Sequence, residues 1–335
     1  MPVELLKNPA CLGAPDWKRE LAAAITSSEE LLHLLQLDPQ LPTAAPANFR
    51  LRVPRAYAAK MRPGDARDPL LLQVLPRTAE FAGTGLLDPV ADLEAMPTPG
   101  LLHKYHGRVL LITTGACAVH CRYCFRRNFP YSEASISTSH LQAALDYIGA
   151  HSEIREVILS GGDPLVLDDD KLAALENQLS EIEHVKWLRI HTRLPVVLPA
   201  RITPALLDWM QSSRLKITLV MHANHANEIG EHETIALAAL RRAGVTLLNQ
   251  SVLLHQVNDN TETLIELSQR LHDSGVLPYY LHLLDKTRGA MHFDVPSATA
   301  VQIIDQMRAR LPGYLVPRLV REQPGENSKT AIFSI

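Results

Sequence analysis

Cys117-Ala-Val-His-Cys121-Arg-Tyr-Cys124 places three of the four cysteines of a 335-residue chain within eight residues. The spacing is C-x3-C-x2-C, with an aromatic residue before the last cysteine. Three thiolates this close can share one metal centre, yet they leave one position of a tetrahedral ion or a cubane cluster unfilled. An open position serves chemistry rather than structure. Three other readings compete. Structural zinc completed by His120 or a distant histidine lacks the usual second cysteine pair. A redox C-x2-C pair of Cys121 and Cys124 leaves Cys117 unexplained. A disulfide framework does not fit a tight cluster plus a distant Cys11, which reads as an incidental thiol.

Outward from the cluster, the chain changes character at about residue 108. Short β-branched runs alternate with amphipathic stretches of helical length. The expected strands are Arg108–Thr114, Glu156–Ser160, Lys186–His191, Lys216–Met221, Val245–Val252, Val276–Leu284 and Tyr314–Val320. Helices are expected over 138–150, 169–182, 203–213, 227–243, 260–273 and 296–311. Repeated βα units imply a parallel sheet with crossover helices. Six or seven such units suit a full or partial (β/α) barrel, and the fold class expected is α/β of the partial (β/α)6 TIM-barrel type. In such barrels functional residues follow the C-terminal ends of strands. The cysteines, Gly161-Gly162-Asp163, His191-Thr-Arg193, His222-Ala-Asn224-His225, Gln256-Val-Asn258-Asp259 and Asp285-Lys286 all fall there.

Upstream, Thr26-Ser-Ser-Glu-Glu before Leu31, Leu32, Leu34 and Leu35 is a helix-start pattern. Ten prolines between residues 38 and 100 exclude long regular elements. We therefore expect residues 1–100 to form a helical and looped segment packed on a barrel of 101–312, with 313–335 as a C-terminal extension. Asp68–Pro76 is expected to dock on a neighbouring element. Formal net charge is −3 and no basic block occurs, which disfavours a nucleic-acid partner. The start is not a secretory signal and no apolar run approaches bilayer length, so a soluble cytoplasmic protein with no membrane partner is expected.

C-x3-C-x2-C after the first strand of a βα barrel resembles the radical S-adenosylmethionine superfamily. The resemblance implies a [4Fe–4S] cluster on Cys117, Cys121 and Cys124, whose open iron chelates S-adenosylmethionine. The reduced cluster passes one electron to the sulfonium, and a 5′-deoxyadenosyl radical forms. Ser160-Gly161-Gly162-Asp163 matches the family stretch that contacts the methionyl amino group.

Further stretches narrow the likeness: Arg126-Arg127, Thr192-Arg193-Leu-Pro195, Asn249–Leu254, Val257-Asn-Asp259, Phe49–Arg55 and Asp68–Pro76. From about residue 45 onward the chain resembles lysine 2,3-aminomutase, an isomerase that also uses pyridoxal 5′-phosphate. The resemblance implies that Lys329, after Pro324-Gly325-Glu-Asn-Ser, binds that cofactor. The family has a glycine run where this chain has Gly-Glu-Asn-Ser. Lys104, Tyr105 and Arg108 match the residues that hold the phosphate. Arg126 matches the arginine for the substrate carboxylate, a role suited to a planar fork. Asp259 and Glu322 match the acidic partners of the lysine side-chain ammonium, Glu322 replacing a family Asp. An acidic pair argues against glutamate as substrate.

The compact form resembles the bacterial enzyme that makes (R)-β-lysine for attachment to translation elongation factor P. The implied partners are lysine, a flavodoxin-like reductant, elongation factor P and its lysine ligase. A monomer or dimer is expected. The competing readings are a catabolic lysine or glutamate aminomutase, or a non-enzymatic zinc or iron–sulfur module.

Overall fold

The computed structural model describes residues 16–44, 46, 48–134 and 138–333; Cys11 lies outside them. Nine strands form one sheet in chain order: β1 Leu101–Tyr105, β2 Arg108–Thr114, β3 Glu156–Gly161, β4 Trp187–Thr192, β5 Lys216–Met221, β6 Thr246–Val252, β7 Leu277–His282, β8 Arg318–Arg321 and β9 Thr330–Ala331. β2 through β8 pair in parallel, each with the next. β1 and β9 flank them as antiparallel edges. The sheet is an open α/β barrel: β1 pairs with β2 and β9 with β8, and among the described residues no ladder joins the two edges.

Crossover helices Thr138–Ala150, Asp169–Ser180, Pro204–Ser212, Glu231–Arg242, Thr261–Asp273 and Ser297–Arg310 cover the outside. Along β4 and β6 buried residues alternate with half-buried ones: one face packs under the helices, and the other lines the barrel interior. Helix starts follow local chemistry. Thr203 and Asn260 accept the backbone N–H groups of Leu206 and Thr263.

The structure departs from the sequence reading in four places. β1 was not expected; it pairs with β2 through a tight turn at His106-Gly107, where Gly107 has φ +76°. β9, just after Lys329, was also not expected. The strand sought at Tyr314–Val320 begins only at Arg318, because Pro312 and Pro317 bracket a 3-10 turn at Gly313–Leu315. The helix sought over 227–243 breaks at Gly230 into a 3-10 turn, Ala226–Glu228, and the helix Glu231–Arg242.

The Pro-rich N-terminal segment shares one continuous core with the barrel. Leu31, Tyr57, Leu70 and Leu71 are buried in the same cluster as Leu159, Ile190 and Leu219. Ser27 caps the helix Ser28–Leu34. Asp68 caps the short helix Pro69–Leu72, its Oδ1 accepting from the N–H of Leu70 at 2.8 Å and of Leu71 at 3.0 Å. This segment seats the cysteine loop. Arg122 N–H donates to Gln73 O and His120 N–H to Arg52 O. The Glu80 carboxylate, buried without exposure, pairs with both Arg122 and Arg127, and both guanidinium groups lie over the Phe49 ring.

Candidate active site

A cavity of about 440 Å³ opens at the C-terminal ends of the parallel strands and runs down the barrel. Its wall holds all three clustered cysteines, Ser160 through Asp163, Arg126, Lys104, Tyr105, Arg108, Glu322 and Lys329. Residues more than two hundred positions apart in the sequence thus share one chamber.

The cysteine loop leaves β2 and lies against the turn after β3. Gly162 N–H donates to Thr114 O at 2.7 Å, and Asp163 N–H to Ala116 O at 2.8 Å. A Cβ on Gly162 would stand 2.2 Å from Ala116 O, and Gly161 has φ +121°. The glycines therefore make room for the loop's own backbone. Asp163 is likewise turned onto the protein. Its Oδ1 accepts from Thr192 Oγ1 at 2.6 Å and Leu165 N, and its Oδ2 from Arg193 N at 2.7 Å.

His120, the alternative zinc ligand, bonds through Nδ1 to Arg50 O at 2.7 Å and stacks on Phe49. Among the described residues no three His, Cys, Asp or Glu side chains converge as a single ion requires. In a cluster each thiolate binds a different iron, so the sulfurs stand further apart than on one ion. Burial pushes the Cys117 thiol well up and Cys124 up to about 11. The protons these thiols retain are released when metal binds.

A chain of alternating charges crosses the cavity. Arg126 Nη1 donates to Ser160 Oγ at 3.0 Å and its Nε to Asp92 Oδ2 at 2.7 Å. Lys104 joins Asp92 at 2.5 Å to Glu322 at 3.1 Å. Glu322 Oε2 accepts from Lys329 Nζ at 2.6 Å. Burial alone would raise Glu322, but Lys329 and Lys104 outweigh it and hold the carboxyl down at about 2. Asp92 is lowered in the same way: burial opposes, while Arg126 and Lys104 prevail.

Lys104 also donates to Val90 O at 2.6 Å, so its three donors are all taken and none remains for a phosphate. Arg108 differs. Its guanidinium stacks over the Tyr105 ring at 4.6 Å and has no hydrogen bond or ion pair among the described residues, leaving a bare cation in the wall.

Asp259 is not brought to the cavity. It pairs with His255 at 2.7 Å in the loop beyond β6. Asp285, after β7, lines the chamber instead. Burial first, then the neighbouring Glu322, pushes its carboxyl up to about 7. Asp92 and Asp285 are the site carboxylates that the sequence reading did not assign. Asp92 carries no motif, and Asp285-Lys286 looks like an ordinary charged loop. His191, His222 and His282 also line the cavity, each with a buried Nε2 that has no hydrogen-bond partner among the described residues.

Residues 111–268 match the model of the radical SAM superfamily, the class that an open α/β barrel with this cysteine loop defines. L-lysine 2,3-aminomutase of Escherichia coli (strain K12) is 51% identical over 95% of this chain and 94% of its own length. The Haemophilus influenzae enzyme of that name is 46% identical over 97% and 98%. That of Clostridium subterminale is 37% identical over 98% and 80%. The chain belongs to the L-lysine 2,3-aminomutase family of radical SAM isomerases. No helix among the described residues is long and apolar enough to cross a membrane.

Proposed function

We propose that this enzyme converts L-lysine to (R)-β-lysine, with a [4Fe–4S] cluster on Cys117, Cys121 and Cys124, S-adenosylmethionine beside Ser160–Asp163, and pyridoxal 5′-phosphate on Lys329. The observation that carries the reading is the shared chamber, with the cysteine loop at one end and the Lys329–Glu322 pair facing it. When bound, these groups supply a hydrogen-abstracting radical and a conjugated ring that eases migration of the amino group.

The chain's own residues bind and orient. Arg126 is largely buried and pinned by Asp92 and Ser160, while its Nη2 has no partner among the described residues. That free edge suits the substrate carboxylate. Arg108, with the Tyr105 ring against it, suits a phosphate. Glu322 already holds two ammonium groups, those of Lys329 and Lys104, and Asp285 stands beside it. The pair is thus proposed to hold the substrate's side-chain ammonium, in place of Asp259 with Glu322. An anionic side chain would meet two carboxylates there, which disfavours a glutamate substrate.

The test is anaerobic incubation with L-lysine, S-adenosylmethionine, pyridoxal phosphate and dithionite, with chiral analysis of products. (R)-β-lysine is expected, and Cys117→Ala should abolish it. An iron-loaded, pyridoxal-loaded protein that yields no β-lysine would sink the proposal. Attachment of the product to elongation factor P by a lysine ligase is a further part of the proposal, carried by the resemblance of the motifs. A β-lysyl mass increment on the factor, dependent on this enzyme, is its measurement.

A further inference from the structure

Arg193 follows β4 and is 5% exposed. Its Nη1 stands 2.8 Å from Cys121 Sγ. Its Nη2 donates to Glu228 Oε2 at 2.7 Å, Gln73 Oε1 at 2.7 Å and Tyr57 OH at 3.0 Å. The Tyr57 and Tyr123 rings flank the guanidinium at 5.3 and 5.6 Å. Its backbone N–H is held by Asp163. Glu228 is fixed in turn: its Oε1 accepts from the N–H groups of Asn224 and His225 and from Gln73 Nε2. A buried cation is therefore clamped at both ends, with one donor aimed at a single sulfur of the three.

We propose that Arg193, held by Glu228, sets the reduction potential of the cluster through Cys121. Arg193 is thus a positioning residue that acts through a ligand. The inference rests on the reading that the three cysteines hold a [4Fe–4S] cluster. One electron from an external reductant takes that cluster from its 2+ to its 1+ state, adding one negative charge. A hydrogen-bond donor and positive charge on the ligand sulfur stabilise the reduced form more than the oxidised one. The low dielectric of the site enlarges the effect. Glu228 opposes it, its negative charge offsetting part of the guanidinium's field. The two residues therefore pull the potential in opposite directions, although both belong to one hydrogen-bonded unit.

The experiment is an EPR-monitored dithionite titration of anaerobically reconstituted full-length protein without substrate, with iron content measured in each sample. Arg193→Gln is expected to cut the reduced-to-oxidised ratio at fixed potential about tenfold, a shift of about 59 mV to more negative potential for one electron. Glu228→Gln is expected to shift it the opposite way. Arg193→Lys, which keeps the charge and loses the fork, should fall between Arg193→Gln and the unsubstituted protein. A merely structural role predicts shifts of the same sign, or none, in the Arg193 and Glu228 variants, and either result overturns the proposal. So does failure of both Arg193→Gln and Arg193→Lys to retain iron, since the residue would then serve cluster binding rather than its potential. An unsubstituted protein with no reducible cluster refutes the cluster reading itself, which separates the two failures.

Discussion

Lys329 Nζ lies 2.6 Å from Glu322 Oε2, while the other oxygen of the same carboxylate meets Lys104 Nζ at 3.1 Å. One carboxylate thus serves two cations, and one of these is the proposed cofactor lysine. Once Lys329 is engaged with pyridoxal phosphate, Glu322 has room for another ammonium. Glu322→Gln should leave the pyridoxal absorbance intact and weaken lysine binding ten- to a hundredfold, as loss of a charge-assisted bond worth about 1.5–3 kcal/mol implies. Equilibrium dialysis with lysine checks it, and unchanged affinity would remove Glu322 from the substrate site. Lys329→Ala should do the reverse to the spectrum, losing the pyridoxal band while the iron–sulfur absorbance stays.

Asp285 makes the site sensitive to pH. Burial and the nearby Glu322 push its carboxyl up to about 7. A raised carboxyl is neutral below that value and charged above it. Its contribution to stability is present at low pH and lost as pH rises through about 7. Above pH 7 the ligand-free protein should therefore unfold at lower temperature, and lysine should restore the loss by supplying a counter-charge. Lysine affinity should rise between pH 6 and pH 8. Asp285→Asn should flatten both profiles; unfolding scans at the two pH values, with and without lysine, read them together.

Glu80 neutralises two buried arginines of the cysteine loop, Arg122 and Arg127. Glu80→Ala leaves both without a carboxylate. Removing one partner of a buried ion pair typically costs about 3–5 kcal/mol, and here the charges stranded flank the cluster ligands. Chemical denaturation should show a loss of that order, together with reduced iron retention. A variant as stable as the unsubstituted protein would mean that water reaches these arginines.

Two glycines give opposite expectations. Gly162→Ala puts a methyl 2.2 Å from Ala116 O, where only backbone movement can make room. Iron loading should be lost. Gly149 lies in the helix Thr138–Ala150 with nothing within 4 Å of an added Cβ. Gly149→Ala should leave iron loading unchanged and stabilise the protein by about 0.5–1 kcal/mol. Iron assay and thermal unfolding of the pair form one experiment.

The βα alternation was legible because period and length are local properties. So was the cysteine loop, whose spacing is itself the signal. Local signals missed β1 and β9, since a short antiparallel edge depends on its neighbour rather than on its own residues. The site's acids were harder still. Asp259 was assigned by its match to a family aspartate, yet it pairs with His255. Asp285 becomes a site residue only because the chain after β7 turns it inward. Asp92 gains its place through Lys104 and Arg126, neither close to it in sequence. Tyr57 and Gln73 reach Arg193 across more than a hundred residues, and no pattern in a Pro-rich stretch announces such a contact.

The open edge of the sheet has one more consequence. β1 carries Lys104, and Glu322 follows β8 directly, so their ion pair spans the gap that no ladder crosses. The barrel is latched there by the same carboxylate that receives Lys329. Whatever arrives at Glu322 competes for the latch, so filling the chamber and fastening its wall draw on a single charge. At 16% and 17% side-chain exposure the pair is largely shielded from salt, so an ammonium arriving at Glu322, rather than ionic strength, should loosen this seam.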